Sequence, residues 1–429
     1  MQRYVLAELD SGMRVVTERV RGVRSVAIGF WIGAGSRDER NAKAGASHFI
    51  EHLLFKGSSN YSAHEIASIF DRLGGELNAA TSRENTVVYA RVPDDKLELA
   101  IDVITDMVYT PLFAELDAER AVVLEEIAMY EDTPQEYVHD LIAEAVFGRH
   151  PLGRPVVGEA SIIRSISRRS LASYHRAMYA PGNVVVAAVG NLEHDRLMDL
   201  LEDAGNKAAE GPRRPIRSPL VRAPAPGLRF QQKRTEQYHV CLAAPGIARS
   251  DRRRFVVSLL DAILGGSASS RLFQEIREKR GMAYSVYTFA SQYTDTGQVG
   301  LYVATREDNL HECLDVAVEQ ILDIAAGNLS SDELERAKDN LKSRITLAME
   351  STSNRMSRLG KSLITNTEIL SLPRIIAEVD AVTTEAVAEL AGLLLAPERL
   401  SAAGIGPRPD RFLKAVERVT PTLVARAAA

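Results

Sequence analysis

His48, Glu51 and His52 form a His-x-x-Glu-His turn whose residue types and spacing suit a catalytic zinc site. At about 100° per residue, the two imidazoles leave a helix roughly 40° apart, and Glu51 leans toward the same side. Zinc hydrolases need that combination: neutral nitrogen ligands, an open coordination position for water, and a carboxylate to take the water's proton. The order inverts the commoner His-Glu-x-x-His arrangement. The flanks predict a helix. Ala44 to Ser47 lead in, Phe49, Ile50, Leu53, Leu54 and Phe55 are apolar, and Gly57 with Ser58, Ser59 and Asn60 ends the segment. The competing assignment is a packing helix whose histidines are satisfied locally. Two His and a Glu among apolar neighbours weigh against it, because a buried, unpaired Glu is strongly destabilising.

A catalytic zinc site uses a third protein ligand, often Glu. The helix predicted over 115–131 offers Glu115, Asp117, Glu119, Glu125, Glu126 and Glu131. Glu119 and Glu126 are two turns apart on one stripe, and Glu125 is turned about 100° away from Glu126. That stripe, read as holding Val122 and Met129, is expected to face inward. Glu126 is therefore the expected ligand, and Glu119 an acid that orients a histidine or tunes the metal.

These residues belong to a longer plan. Residues 1–16 read as a hairpin, 25–33 as a strand, 63–73 as a helix, 76–80 and 86–92 as strands, 94–108 as a helix and 184–190 as a strand. A Pro- and Arg-rich stretch at 211–228 reads as a linker. Beyond it the order repeats: a strand at 237–244, helices at 253–264 and 270–279, strands at 282–290 and 298–304, helices at 309–326 and 331–350. Asp94-Asp95-Lys96-Leu97 opens one helix where Glu307-Asp308-Asn309-Leu310 opens the other, and Leu116-Asp117-Ala118-Glu119-Arg120-Ala121 matches Asp332-Glu333-Leu334-Glu335-Arg336-Ala337. The pattern predicts an α+β chain of two homologous domains, 1–210 and 229–429, each a mainly antiparallel sheet flanked by helices. The second copy carries Asp261 to Gly266 where the first has its histidines, and Lys342 where the first has Glu126. Residues needed only for packing should persist in both copies; the loss of the histidines from one favours chemistry.

Composition is that of a globular chain of 429 residues, 45% hydrophobic and 25% charged. A net charge of −5 and short, dispersed basic clusters give no reason to expect nucleic acid. Cys241 and Cys313 are expected to be reduced, packed thiols. Neither a signal region nor a membrane-length apolar run is present in the sequence, so the expectation is a cytoplasmic protein without a membrane partner.

The motif from His48 to Gly57, the run through Gly74, Gly75, Asn78, Ala79, Thr81, Ser82, Glu84 and Thr86, and Glu119-Arg120 with Glu126-Ile127 together resemble the pitrilysin/insulinase family of zinc metallopeptidases, in particular its short, mitochondrial-processing-peptidase-like bacterial branch. The resemblance implies one zinc ion per chain on His48, His52 and Glu126, Glu51 as general base, and Glu119 as supporting acid. It implies that Asn78 and Ala79 lie on a substrate-binding edge strand, where an extended peptide adds in β fashion. Arg277 and Tyr284 match an Arg/Tyr pair that other members direct at the substrate backbone and the developing oxyanion. Peptides or unfolded polypeptide segments are the implied substrates, held in a chamber between domains, and a homodimer is the implied assembly. No clear counterpart of the processing peptidase's glycine-rich loop is found at Gly265-Gly266, so presequence selectivity is not expected. The alternatives are a scaffold like the family's non-catalytic respiratory core subunits and a module that sequesters peptides and cuts slowly.

Overall fold

The computed structural model describes residues 4–206, 217, 219–220 and 224–428. Most of the expected linker, 211–228, lies outside the described residues. Among the described residues, two sheets organise two compact units.

The first sheet comprises β1 (Tyr4–Glu8), β2 (Arg14–Arg19), β3 (Ser25–Ile32), β4 (Glu76–Thr81), β5 (Thr86–Pro93) and β6 (Val184–Gly190). Their order is β1-β2-β6-β3-β5-β4, and every pairing is antiparallel except β2 with β6. The second sheet comprises β7 (Leu228–Gln232), β8 (Tyr238–Gly246), β9 (Ala283–Gln292), β10 (Gly297–Thr305) and β11 (Ser401–Gly406). Its order, β7-β11-β8-β10-β9, repeats β2-β6-β3-β5-β4 strand for strand, down to the single parallel pair, β7 with β11. The duplication inferred from sequence is thus written in the topology, and the mixed α and β architecture agrees with the α+β expectation. β3 and β6 are nearly continuous apolar runs because both their faces are covered.

Neither unit is a continuous stretch of chain. One consists of 1–128, 154–218 and 346–371, and the other of 129–153, 219–345 and 372–429. The compact units therefore differ from 1–210 and 229–429 by an exchange. The helix Thr352–Ile364 lays Met356 and Leu359 on Val16, Trp31, Val87, Val185 and Ala187 of the first sheet. The helix Pro134–Phe147 packs Val138, Ile142, Val146 and Phe147 on Cys241, Ala243, Tyr302 and Ile405 of the second. Each sheet has its back face covered by a helix encoded in the other half. Burial of such apolar faces, at about 25 cal/mol per Å², drives the arrangement.

On the other face of the first sheet lie α1 (Ala46–Leu54), α2 (Ala63–Leu73), α3 (Leu97–Tyr109) and α4 (Leu116–Asp132). Phe49, Ile50, Leu53 and Leu54 of α1 are fully buried. One expectation about α4 is corrected. Its buried residues are Glu119, Val123 and Ile127, whereas Val122 and Met129 are exposed. Apolar residues are spread around this helix, so composition alone could not choose the inward stripe; the 119–123–126–127 side faces α1. A second correction concerns 270–279: residues Phe273–Glu278 form a π-helical turn, seen in the Lys279 N–H donating to Gln274 O at 2.9 Å. Cys241 and Cys313 are buried free thiols. No helix among the described residues is long and apolar enough to cross a membrane.

Candidate metal centre and active site

The site begins at the turn into α1. Gly45 precedes the helix with φ +93°, a left-handed conformation that glycine adopts without strain. A Cβ there would lie 2.9 Å from both Gly158 Cα and Val157 O, so the turn is closely packed as well. From this start, helical spacing carries His48 and His52 to one face.

His48 Nε2 and His52 Nε2 are 3.3 Å apart. Glu126 Oε1 lies 3.4 Å from His48 Nε2, and Glu126 Oε2 lies 3.2 Å from His52 Nε2. A tetrahedral ion with bonds of about 2.0–2.1 Å separates neighbouring donors by about 3.3–3.4 Å. Two imidazoles and one carboxylate at that spacing fit zinc in both geometry and chemistry, with one coordination position left for water. Among the described residues, this trio is the group of acidic, His or Cys side chains able to hold a metal ion.

Around the trio, Glu119 Oε1 lies 2.8 Å from His52 Nδ1, and its other oxygen accepts from Lys56 Nζ at 2.8 Å. Glu119 is almost wholly buried, and the lysine balances its charge. Nδ1–H donation to a carboxylate fixes the tautomer that leaves Nε2 free for a metal. His48 Nδ1 is buried with no hydrogen-bond partner. Glu126 raises the His52 pKa by accepting its hydrogen bond, against burial, with Glu119 adding to the effect. The hydrogen bond from His48, and then that from His52, hold the Glu126 carboxyl well below the usual carboxylate range. Without a cation the trio attracts protons; a metal ion would displace them.

Glu51 is half-buried on α1, and its Oε2 accepts from Thr81 Oγ1 at 2.5 Å. Thr81 belongs to β4, which forms one edge of its sheet. Asn78 and Ala79 sit on the same strand, opposite Tyr89 and Val88 of β5. Asn78 is exposed and its Oδ1 accepts the Ala79 N–H at 2.8 Å. Strand β4 thus links the edge expected to bind peptide directly to the carboxylate expected to act as base.

In the other unit, Arg277 lies on the π-helical turn. Its guanidinium sits 4.5 Å from the Tyr284 ring centroid and 4.7 Å from that of Phe273, and it donates to Tyr284 O at 3.1 Å. Tyr284, on the edge strand β9, is 77% exposed. The two residues are neighbours on one surface. β9 occupies the place in its sheet that β4 occupies in the first.

Three contributors had no role assigned to them from sequence. Lys56 is four residues beyond His52, just past the end of α1, and that spacing could have revealed it. Thr81 stands three residues after Asn78, on the edge strand. Glu39, whose carboxylate accepts the Gly45 and Ser47 N–H groups at 2.7 Å each, gives no periodic signal because it lies in an irregular loop.

The description "Insulinase (Peptidase family M16)" matches residues 14–160, which include His48, Glu51, His52 and Glu126. "Peptidase M16 inactive domain" matches residues 165–341, which include Arg277 and Tyr284. A Streptomyces coelicolor protein named an uncharacterized zinc protease is 41% identical over 94% of this chain and 89% of its own length. Uncharacterized zinc protease YmxG of Bacillus subtilis is 40% identical over 89% of this chain and 93% of its own. A crystal structure titled peptidase M16 inactive domain, from Pseudomonas fluorescens, superposes with a TM-score of 0.88 over 95% of this chain and 99% of that one, at 23% identity, a likeness of fold. A Helicobacter pylori protease structure also gives 0.88, covering 94% of this chain and 99% of that one at 20% identity. With both family descriptions matched and such identity along nearly its whole length, the chain belongs to the insulinase family, peptidase family M16.

Proposed function

We propose that this protein is a zinc-dependent endopeptidase that hydrolyses peptides or unfolded polypeptide segments. The observation that supports this most is the gathering of His48 Nε2 and His52 Nε2, 3.3 Å apart, with one Glu126 oxygen 3.4 Å from the first and the other 3.2 Å from the second, and Glu51 on the same helix as the histidines. One zinc ion per chain would be held by these residues. When bound, such an ion supplies Lewis-acid chemistry, making water nucleophilic near neutral pH and polarising a carbonyl.

The remaining work falls to the chain. Glu51, oriented by Thr81, accepts a proton from the attacking water and returns it to the leaving amine. Glu119 keeps His52 in its metal-binding tautomer. Strand β4 offers its open edge at Asn78 and Ala79 to an extended peptide, which would first displace the Asn78 amide from the Ala79 N–H. Arg277 and Tyr284 supply donors for the substrate backbone and the oxyanion. Enclosure of the substrate in a chamber to which both halves contribute, and pairing into a homodimer, complete the proposal; both rest on the family resemblance.

Glu51→Gln tests the reading. The variant should bind zinc like the parent and lose about 10²–10⁴-fold in kcat on a fluorogenic peptide library. Undiminished turnover would remove Glu51 from its role. Mass spectrometry of the library products gives the cleavage preference in the same experiment.

A further inference from the structure

We infer that Glu39 is a positioning residue for the zinc-binding helix, its buried carboxylate fixing the start of α1 through two backbone amides. The inference rests on the peptidase reading above and deepens it. Gly45, at the head of α1, has no side chain to cap the helix. Glu39 does so from a preceding loop: Oε2 accepts the Gly45 N–H and Oε1 accepts the Ser47 N–H, each at 2.7 Å. Ser47 immediately precedes His48, so this grip sets the height and rotation at which His48, Glu51 and His52 emerge.

The loop bearing Glu39 is itself held on several sides. Arg154 donates to Ser36 O at 3.0 Å, to Glu39 O at 2.8 Å and to Asn41 Oδ1 at 2.8 Å. Arg37 pairs with Glu84 at 2.7 Å, and Arg217 pairs with Asp38 at 2.8 Å, both largely buried. The Ser47 hydroxyl is anchored on the Tyr174 hydroxyl at 3.0 Å. Glu39 thus has a fixed base from which to hold the helix.

Both Glu39 oxygens must be acceptors, because each faces a backbone N–H donor. An amide turns one of those acceptors into a donor and loses one of the two bonds, and protonation of the carboxyl weakens the acceptor that takes the proton. The charged and titratable groups coupled to Glu39 are Arg154, Tyr174 and Tyr179, and Asp38 is its neighbour along the chain. Burial pushes the Glu39 carboxyl up to about 7, against the two amide hydrogen bonds, a hydrogen bond from the Ser47 hydroxyl and the charge of Arg154. The cap therefore changes state near neutrality.

The test is zinc affinity, measured by chelator competition on the full chain and on Glu39→Gln and Glu39→Asp from pH 6 to 8.5, alongside kcat/KM. At pH 8.5 the Gln variant should bind zinc about tenfold more weakly or worse, as when residues supporting metal ligands are removed. The difference should shrink as pH falls through about 7, where the parent's own cap becomes protonated. Titration of the histidines affects parent and variant alike and cancels in the ratio. Asp, which keeps two acceptors, should fall between them. A ratio that stays constant with pH, or equal affinities at pH 8.5, overturns the inference. Should Glu39→Gln fail to fold, Glu39→Asp decides: at pH 8.5 it should bind zinc more weakly than the parent, by a margin that shrinks as pH falls through about 7, and an affinity equal to the parent's throughout overturns the inference. Zinc affinity is read without turnover, so an inactive parent with a pH-dependent ratio would sink the peptidase reading alone. An active parent with a flat ratio would sink only the role of Glu39.

Discussion

His48, His52 and Glu126 were legible in the sequence because helical spacing is a local property. Two histidines four apart must share a face, and a glutamate seven after Glu119 must share another. The burial of Glu119 came with them, but the reason offered for the α4 stripe did not hold, since Val122 and Met129 are exposed. Lys56 and Glu39 show what local spacing leaves out, namely the groups that neutralise or hold the motif from outside it. Their charges lead to a pH prediction for the metal-free protein. The Glu39 carboxyl is raised from 4.5 to about 7, so its contribution is fully present below 4.5 and is lost as pH rises through about 7. That difference corresponds to roughly 3 kcal/mol. His52 is raised above 6.5, so its pairing with Glu126 likewise weakens as pH rises through the raised value. Glu126 is lowered from 4.5, so the same pairing is present above 4.5 and is lost as pH falls through the lowered value. Calorimetry of chelator-treated protein should therefore give a higher Tm near pH 5.5 than near pH 8.5, with the gap narrowed in Glu39→Gln. The opposite ordering in the parent would contradict the burial argument.

At the scale of elements, the strands and helices that position the site follow the expected boundaries closely; α2 spans Ala63–Leu73 as anticipated. Alternation and helical periodicity carry that much. The π-helical turn at Phe273–Glu278 was not legible, since its apolar spacing is that of an ordinary helix and only the backbone bonding differs. The turn into α1 supplies the element-level prediction. Gly45→Ala meets positive φ, worth about 1–3 kcal/mol of strain, and contacts of 2.9 Å with backbone atoms that cannot move aside. Gly22 has φ +88° but nothing within 4 Å of an added Cβ, so Gly22→Ala isolates the strain. Thermal melts should show Gly45→Ala losing clearly more stability than Gly22→Ala, with weakened zinc binding as well. Equal losses would mean that the packing against 157–158 does not matter.

For the whole molecule, the repeat was visible in the sequence, and the strand orders bear it out. The exchange of helices between halves was not visible, because nothing in an amphipathic pattern says which sheet it will cover. Its consequence is that residues 1–210 alone lack Thr352–Ile364 and leave Val16, Trp31 and Val185 uncovered. That fragment should be poorly soluble or bind a hydrophobic dye, and adding 346–371 should reduce the dye signal. A soluble, cooperatively melting 1–210 fragment would argue that the exchanged helix contributes little. The proposed peptidase activity depends on a metal ion held by His48, His52 and Glu126. Its most direct test is to strip the protein with a chelator and follow peptide hydrolysis while zinc is returned. Activity should vanish on stripping and recover to a plateau at one zinc per chain; hydrolysis that survives stripping, or that no amount of zinc restores, would contradict it.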